Sequence, residues 1–101
     1  MWILVMFDLP TETKQQRKRY SEFRKSLIQD GFTMFQFSMY VRNCASRENT
    51  KVHTDRIKKF LPEEGKICIL TITEKQFNEI LIFEGLKRTP SLPVAIQLEL
   101  F

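Results

Sequence analysis

Apolar and polar positions follow three different rhythms along this chain. Trp2 to Phe7 is an unbroken apolar run closed by Asp8-Leu9-Pro10, which predicts a central strand covered on both faces. Thr11 or Thr13 then offers a helix cap, and a 3.6-residue period runs to about Gln29, where Asp30-Gly31 stops it. On that helix Gln16, Tyr20, Phe23 and Leu27 share one face. Lys14, Lys18 and Lys25 share the opposite one, with Arg17 and Arg24 on the flank between. Phe32 to Arg42 is rich in Phe, Met, Tyr and Val, with Gln36 and Ser38 interrupting. Its eleven residues are long for one strand, so the stretch predicts a kink or tight hairpin near Gln36–Ser38. A second helix is expected from Ser46 to Leu61, capped by Ser46 and ended by Pro62, with Asn49, His53, Ile57 and Phe60 inward. Gly65 to Thr73 alternates as a strand does, and Ile80 to Phe83 is a further short apolar run.

The order β-α-β-β-α-β followed by an extra strand defines an α+β, ferredoxin-like arrangement. Residues 1–85 form its single domain, and residues 86–101 read as an appendage. Leu86 to Pro93 contains two prolines and reads as an irregular linker. Beyond it, Ile96, Leu98 and Leu100 alternate with Gln97 and Glu99, the pattern of a half-buried strand. Such a strand suits addition to the sheet edge of a second chain. Folding back onto its own domain is the alternative.

Composition sharpens the picture. With 101 residues and 43% hydrophobic positions, the chain builds one packed core, and a second copy would help to cover what so small a domain leaves exposed. The formal net charge is +4, but its placement matters more than its size. Between Lys14 and Lys25 stand six Lys/Arg residues and one acid, Glu22. This concentration suits a phosphate backbone; a solvated helix face gives the same pattern. The two cysteines, Cys44 and Cys68, are too isolated for a zinc or disulfide framework and read as reduced structural thiols. The apolar start lacks a basic flank and is cut short by Asp8, so neither a signal peptide nor a membrane span is expected, and a cytoplasmic location follows by elimination.

Asp8 is the residue most open to chemistry, because it stands where a buried strand emerges into solvent. One carboxylate is a poor site for Mg²⁺, whereas two copies of Asp8 facing across a dimer axis would supply two. A turn-forming Asp before Leu-Pro is the plainer explanation. His53, the single histidine, has no partner for a catalytic triad and reads as a hydrogen-bonded packing residue. The stretch Gly31-Phe32-Thr33-Met34-Phe35-Gln36-Phe37 invites comparison with base-stacking RNA recognition strands. It lacks their basic-Gly-aromatic opening, so its phenylalanines are assigned to the core.

Taken together, Met1-Trp2-Ile3-Leu4-Val5-Met6-Phe7-Asp8-Leu9-Pro10, the Lys/Arg-rich helix, Asp30-Gly31-Phe32 and Gln36-Phe37-Ser38-Met39-Tyr40 resemble a known pattern. Arg42 near the end of the hairpin and Gly65 before the next strand also fit. It is that of the Cas two family, the small CRISPR-associated adaptation protein, in its type II-like branch. The resemblance spans essentially the whole chain. It implies a ferredoxin-like homodimer that binds duplex DNA and bridges dimers of the CRISPR integrase during spacer acquisition. As the alternative it implies a Mg²⁺-dependent endonuclease on single-stranded RNA or duplex DNA, with Asp8 as metal ligand and catalytic residue. Lys14, Arg17, Lys18, Arg24 and Lys25 are then the expected nucleic-acid contacts, extended by Arg42 and Arg47. Ile96, Leu98 and Leu100 are the expected contacts to the dimer partner or the integrase.

Overall fold

β1 (Trp2–Asp8) is hydrogen-bonded on both sides, antiparallel to β3 (Met39–Asn43) on one edge and to β4 (Lys66–Ile72) on the other. With β2 (Thr33–Gln36) outside β3, the sheet order is β2-β3-β1-β4, the ferredoxin-like arrangement expected from the element order. The computed structural model describes residues 1–89. The expectations for Ile96, Leu98 and Leu100 fall outside those residues.

Strand alternation gives each face of the sheet its own core. Ile3, Val5, Phe7 and Leu9 point to the layer formed by α1 (Lys14–Gln29) and α2 (Arg47–Lys58), where they meet Phe23, Leu27, Phe32, Tyr40 and Ile57. Trp2 and Leu4 point the other way, against Val41 and Phe77. Each of these large side chains, fully buried, contributes roughly 1.5–3 kcal/mol. A continuous apolar β1 is therefore required, since both of its faces are covered along most of its length.

Thr13, of the two candidates, caps α1. Its hydroxyl accepts from Gln16 N at 3.0 Å while the Gln16 side chain accepts from Thr13 N at 3.0 Å. Gln16 thus serves the cap while its half-buried side chain lies beside Leu9 and Tyr20, on the face expected for it. In α2 the half-buried Asn49 also serves the cap, its N donating to the Ser46 hydroxyl at 3.1 Å, and Thr50, not anticipated as inward, joins His53 and Ile57 in the buried face. The expected break in Phe32–Arg42 is a tight hairpin with Phe37 and Ser38 at its tip and a register irregularity between Met34 and Gln36.

Two elements differ from expectation. α3 (Glu74–Asn78) follows β4 and was not anticipated; Thr73 and Gln76 form its capping box, and its Phe77 ring stacks on Trp2 at 3.9 Å. The expected irregular linker begins instead with a strand, because Lys87–Thr89 (β6) pairs with Ile82–Glu84 (β5) around a turn at Gly85. Among the described residues no helix is long and apolar enough to cross a membrane.

Gly65 fixes how β4 enters the sheet. Its φ is +92°, and a Cβ there would lie 2.5 Å from Leu9 Cδ2 and 2.8 Å from the Asp8 carbonyl oxygen. Gly65→Ala is expected to cost more than about 1 kcal/mol, seen as a lower urea midpoint at unchanged slope. An unaltered midpoint would show that this approach does not constrain the fold.

Candidate nucleic-acid interface and strand-end carboxylate

Asp8 ends β1 on the face turned away from α1 and α2, in register with Lys66 of β4. Its side chain is exposed, and no described residue hydrogen-bonds or ion-pairs with it. Around it lies an open depression that Met6, Met39, Cys68, Lys66 and the Phe37–Ser38 turn help to form. The turn is tied to the end of β1: Phe7 N donates to the Ser38 carbonyl at 3.0 Å, and the Ser38 and Tyr20 hydroxyls lie 3.3 Å apart. Among the described residues no three His, Cys, Asp or Glu side chains gather as a metal-holding group. Among the described residues Asp8 is the one carboxylate at this depression, the lower limit of the one or two that Mg²⁺ takes together with water and phosphate oxygens.

The basic helix face divides into free and engaged cations. Lys14, Lys18 and Lys25 are exposed and align along one side of α1, in a column about 16 Å long at 1.5 Å per residue. Lys18 reaches Glu22 only at 4.0 Å across solvent, a contact of little energetic weight. Arg17 instead donates to the Thr11 and Glu12 carbonyls at 3.1 and 3.0 Å, clamping the loop before its own helix. Arg24 donates from Nε to the Tyr40 hydroxyl. Arg42 lies over Gly31 and donates to the Asn43 carbonyl at 2.9 Å, so its guanidinium is held within the fold and not on the α1 stripe. Arg47 is exposed at the start of α2.

Sequence reasoning missed a polar cluster that joins the helices. Asp30, the residue ending α1, accepts from His53 Nδ1 at 2.8 Å and from Arg56 Nη1 at 2.9 Å, both on α2. With the proton of Nδ1 directed at Asp30, that nitrogen has no lone pair left for Arg42 Nε, and their 3.3 Å approach is packing. Burial alone would raise the Asp30 carboxyl. The His53 hydrogen bond, then the Arg56 hydrogen bond and the charges of both, outweigh it and hold the group below its ordinary value. A second link joins Arg19 of α1 to Glu64 at 3.1 Å and Glu63 at 3.7 Å, just before β4. Both cysteines are free; burial pushes the Cys44 thiol up, which disfavours its thiolate, whereas Cys68 is exposed on the Asp8 side of the sheet.

The four-stranded antiparallel sheet, two helices on one face, exposed strand-end carboxylate and lysine column define a small ferredoxin-like protein with two chemically distinct surfaces. The family model of CRISPR associated protein Cas2 matches residues 1–80, and the chain belongs to that family. A relative from Flavobacterium psychrophilum named CRISPR-associated endoribonuclease Cas2 is 58% identical over 101 residues, covering all of this chain and 88% of the relative. A second of that name, from Parvibaculum lavamentivorans, is 50% identical over the full length of both. In three dimensions the chain resembles the crystal structure of Streptococcus pyogenes Cas2 at pH 6.5, with TM-score 0.63 and 21% identity over 83% of this chain and all of that one. This last likeness bears on the fold alone.

The Asp30 cluster sets a pH dependence. Because its folded pKa lies below the unfolded value of about 3.9, its stabilisation is complete above that value and fades as pH falls toward the folded pKa. Asp30→Asn is expected to cost about 2 kcal/mol at neutral pH, with the gap to wild type narrowing below about pH 4. Urea unfolding of both proteins across pH checks this, and a gap constant into acid would contradict it.

Proposed function

We propose that this protein acts in CRISPR adaptation as a homodimer that binds duplex DNA along α1 and bridges dimers of the integrase. The observation that carries the reading is the column of exposed lysines, Lys14, Lys18 and Lys25. Backbone binding needs cations at spaced intervals and no base-reading group. Arg24, exposed on the same helix although its Nε is engaged by Tyr40, and Arg47, exposed at the start of α2, are the further cations this reading would use; Arg17 supports the face by clamping the loop below. A second copy is expected on the opposite side of the sheet, where Leu70 remains about half exposed beside Cys68 and Met6, since an apolar face of this kind favours burial. In this reading the C-terminal segment with Ile96, Leu98 and Leu100 pairs with the other copy or with the integrase.

A second reading, Mg²⁺-dependent cleavage of single-stranded RNA or duplex DNA, is favoured by Asp8 itself. An exposed carboxylate with no partner among the described residues, at the rim of the face proposed for dimerisation, would meet its counterpart across the axis. Two such groups fit the needs of Mg²⁺, which when bound would supply a polarised phosphate and an activated water. The role of this chain is to hold each Asp8 at a fixed strand end, with Lys66 beside it to meet phosphate charge. The relatives named as endoribonucleases add to the support for this reading.

The two readings use opposite faces of the sheet, so they separate by mutation. Replacing Lys14, Lys18 and Lys25 together with Ala should weaken duplex binding regardless of sequence. The slope of log K against log salt should then fall by about 2.7, for three lost phosphate contacts. An unchanged slope in a titration across salt would refute the DNA-binding surface. Asp8→Ala should leave dimer mass and duplex affinity intact and abolish any Mg²⁺-dependent cleavage of labelled RNA. Undiminished cleavage in that variant would remove Asp8 from the chemistry.

A further inference from the structure

Assignment of the Phe32–Phe37 phenylalanines to the core holds for two of the three. Phe32 is buried and Phe35 packs against Phe77, but Phe37 is 80% exposed at the tip of the β2–β3 hairpin. Its position is nonetheless defined. One ring face stacks on Tyr20, with centroids 6.2 Å apart and planes 24° from parallel. The next residue, Ser38, is bonded to Phe7 and approached by the Tyr20 hydroxyl. Phe37 also borders the same depression as Asp8 and Lys66. An aromatic ring held from one side, with its outer surface in water and a cation and a carboxylate nearby, is arranged to receive a flat apolar group attached to an anionic chain. An unpaired nucleobase has that chemistry.

We propose that Phe37 is the stacking platform for an unpaired base of single-stranded nucleic acid, with Lys66 meeting the adjoining phosphate and Asp8 beside the backbone. This rests on the nucleic-acid reading above and deepens it. Duplex binds the lysine column of α1, while single strands bind on the Asp8 side, and Phe37 selects between them because the bases of a duplex present no free ring face.

The test titrates wild type, Phe37→Leu and Phe37→Trp with a short single-stranded RNA carrying 2-aminopurine and, in parallel, with a DNA duplex. Phe37→Leu should weaken single-strand binding by at least about fivefold and abolish most of the stacking quench of 2-aminopurine. Its salt slope and duplex affinity should match wild type, because stacking releases no counterions. Phe37→Trp should retain both affinity and quench. Sedimentation of each variant must give the wild-type mass; a loss of mass confined to Phe37→Leu would mean that the ring serves contact between copies and would overturn the proposal. Unchanged single-strand binding in Phe37→Leu, with duplex binding intact, overturns this inference alone. A wild type that binds neither nucleic acid overturns the function proposed above as well.

Discussion

Everything in this molecule depends on β1 being a strand with neighbours on both edges and cover on both faces. β4 pairs with it over all seven residues and β3 over the first five, Trp2 to Met6, which fixes its conformation from both edges along most of its length. Two-residue alternation then sorts its side chains. Ile3, Val5 and Phe7 anchor the helices, and Trp2 and Leu4 anchor the opposite layer. Asp8 stands on that second side at the point where cover ends. The carboxylate is exposed because pairing with β3 has already ended, and it is held in place because the six residues before it and Asp8 itself pair with β4.

The helices are held to this spine by apolar contact and to one another by charge. Asp30 at the end of α1 gathers His53 and Arg56 from α2, and Arg19 reaches the two glutamates before β4. The first cluster is mostly shielded from water, where a carboxylate without donors would be costly and one with two is not. The second lies in solvent and carries less weight. The fold thus places its stronger polar link at the end of α1 far from Asp8. The Asp8 end relies on packing, the Gly65 approach and the Ser38 hydrogen bonds.

Much of this was legible in the sequence because it rests on periodicity. The apolar run of β1, the two faces of α1, the hairpin break near Gln36–Ser38 and the ferredoxin-like order are all local patterns. What was not legible depended on contacts distant in the chain. Arg42 reads as a free surface cation until the fold lays it over Gly31, and Asp30 reads only as a helix stop until α2 brings His53 and Arg56 to it. α3 did leave a local trace, the Thr73-x-x-Gln76 capping box, which five helical residues made easy to pass over beside a longer strand pattern. Phe37 is the reverse case: surrounded in sequence by core phenylalanines, it lands on the outside because a two-residue turn interrupts the alternation.

Ser38 carries that turn at φ +61°, a region where a residue with a Cβ pays about 1–2 kcal/mol. Glycine would sit there without penalty, but glycine has no hydroxyl to set beside Tyr20. The hairpin tip is therefore tied down by side-chain and backbone contacts on both sides of the turn. Through Tyr20 it is coupled to α1, and through Phe7 to the central strand. A rigid load on the outer face of α1 would thus bear, through Tyr20, on the rim of the carboxylate depression, a line of contact between the two faces of the sheet that their separate chemistries would not suggest.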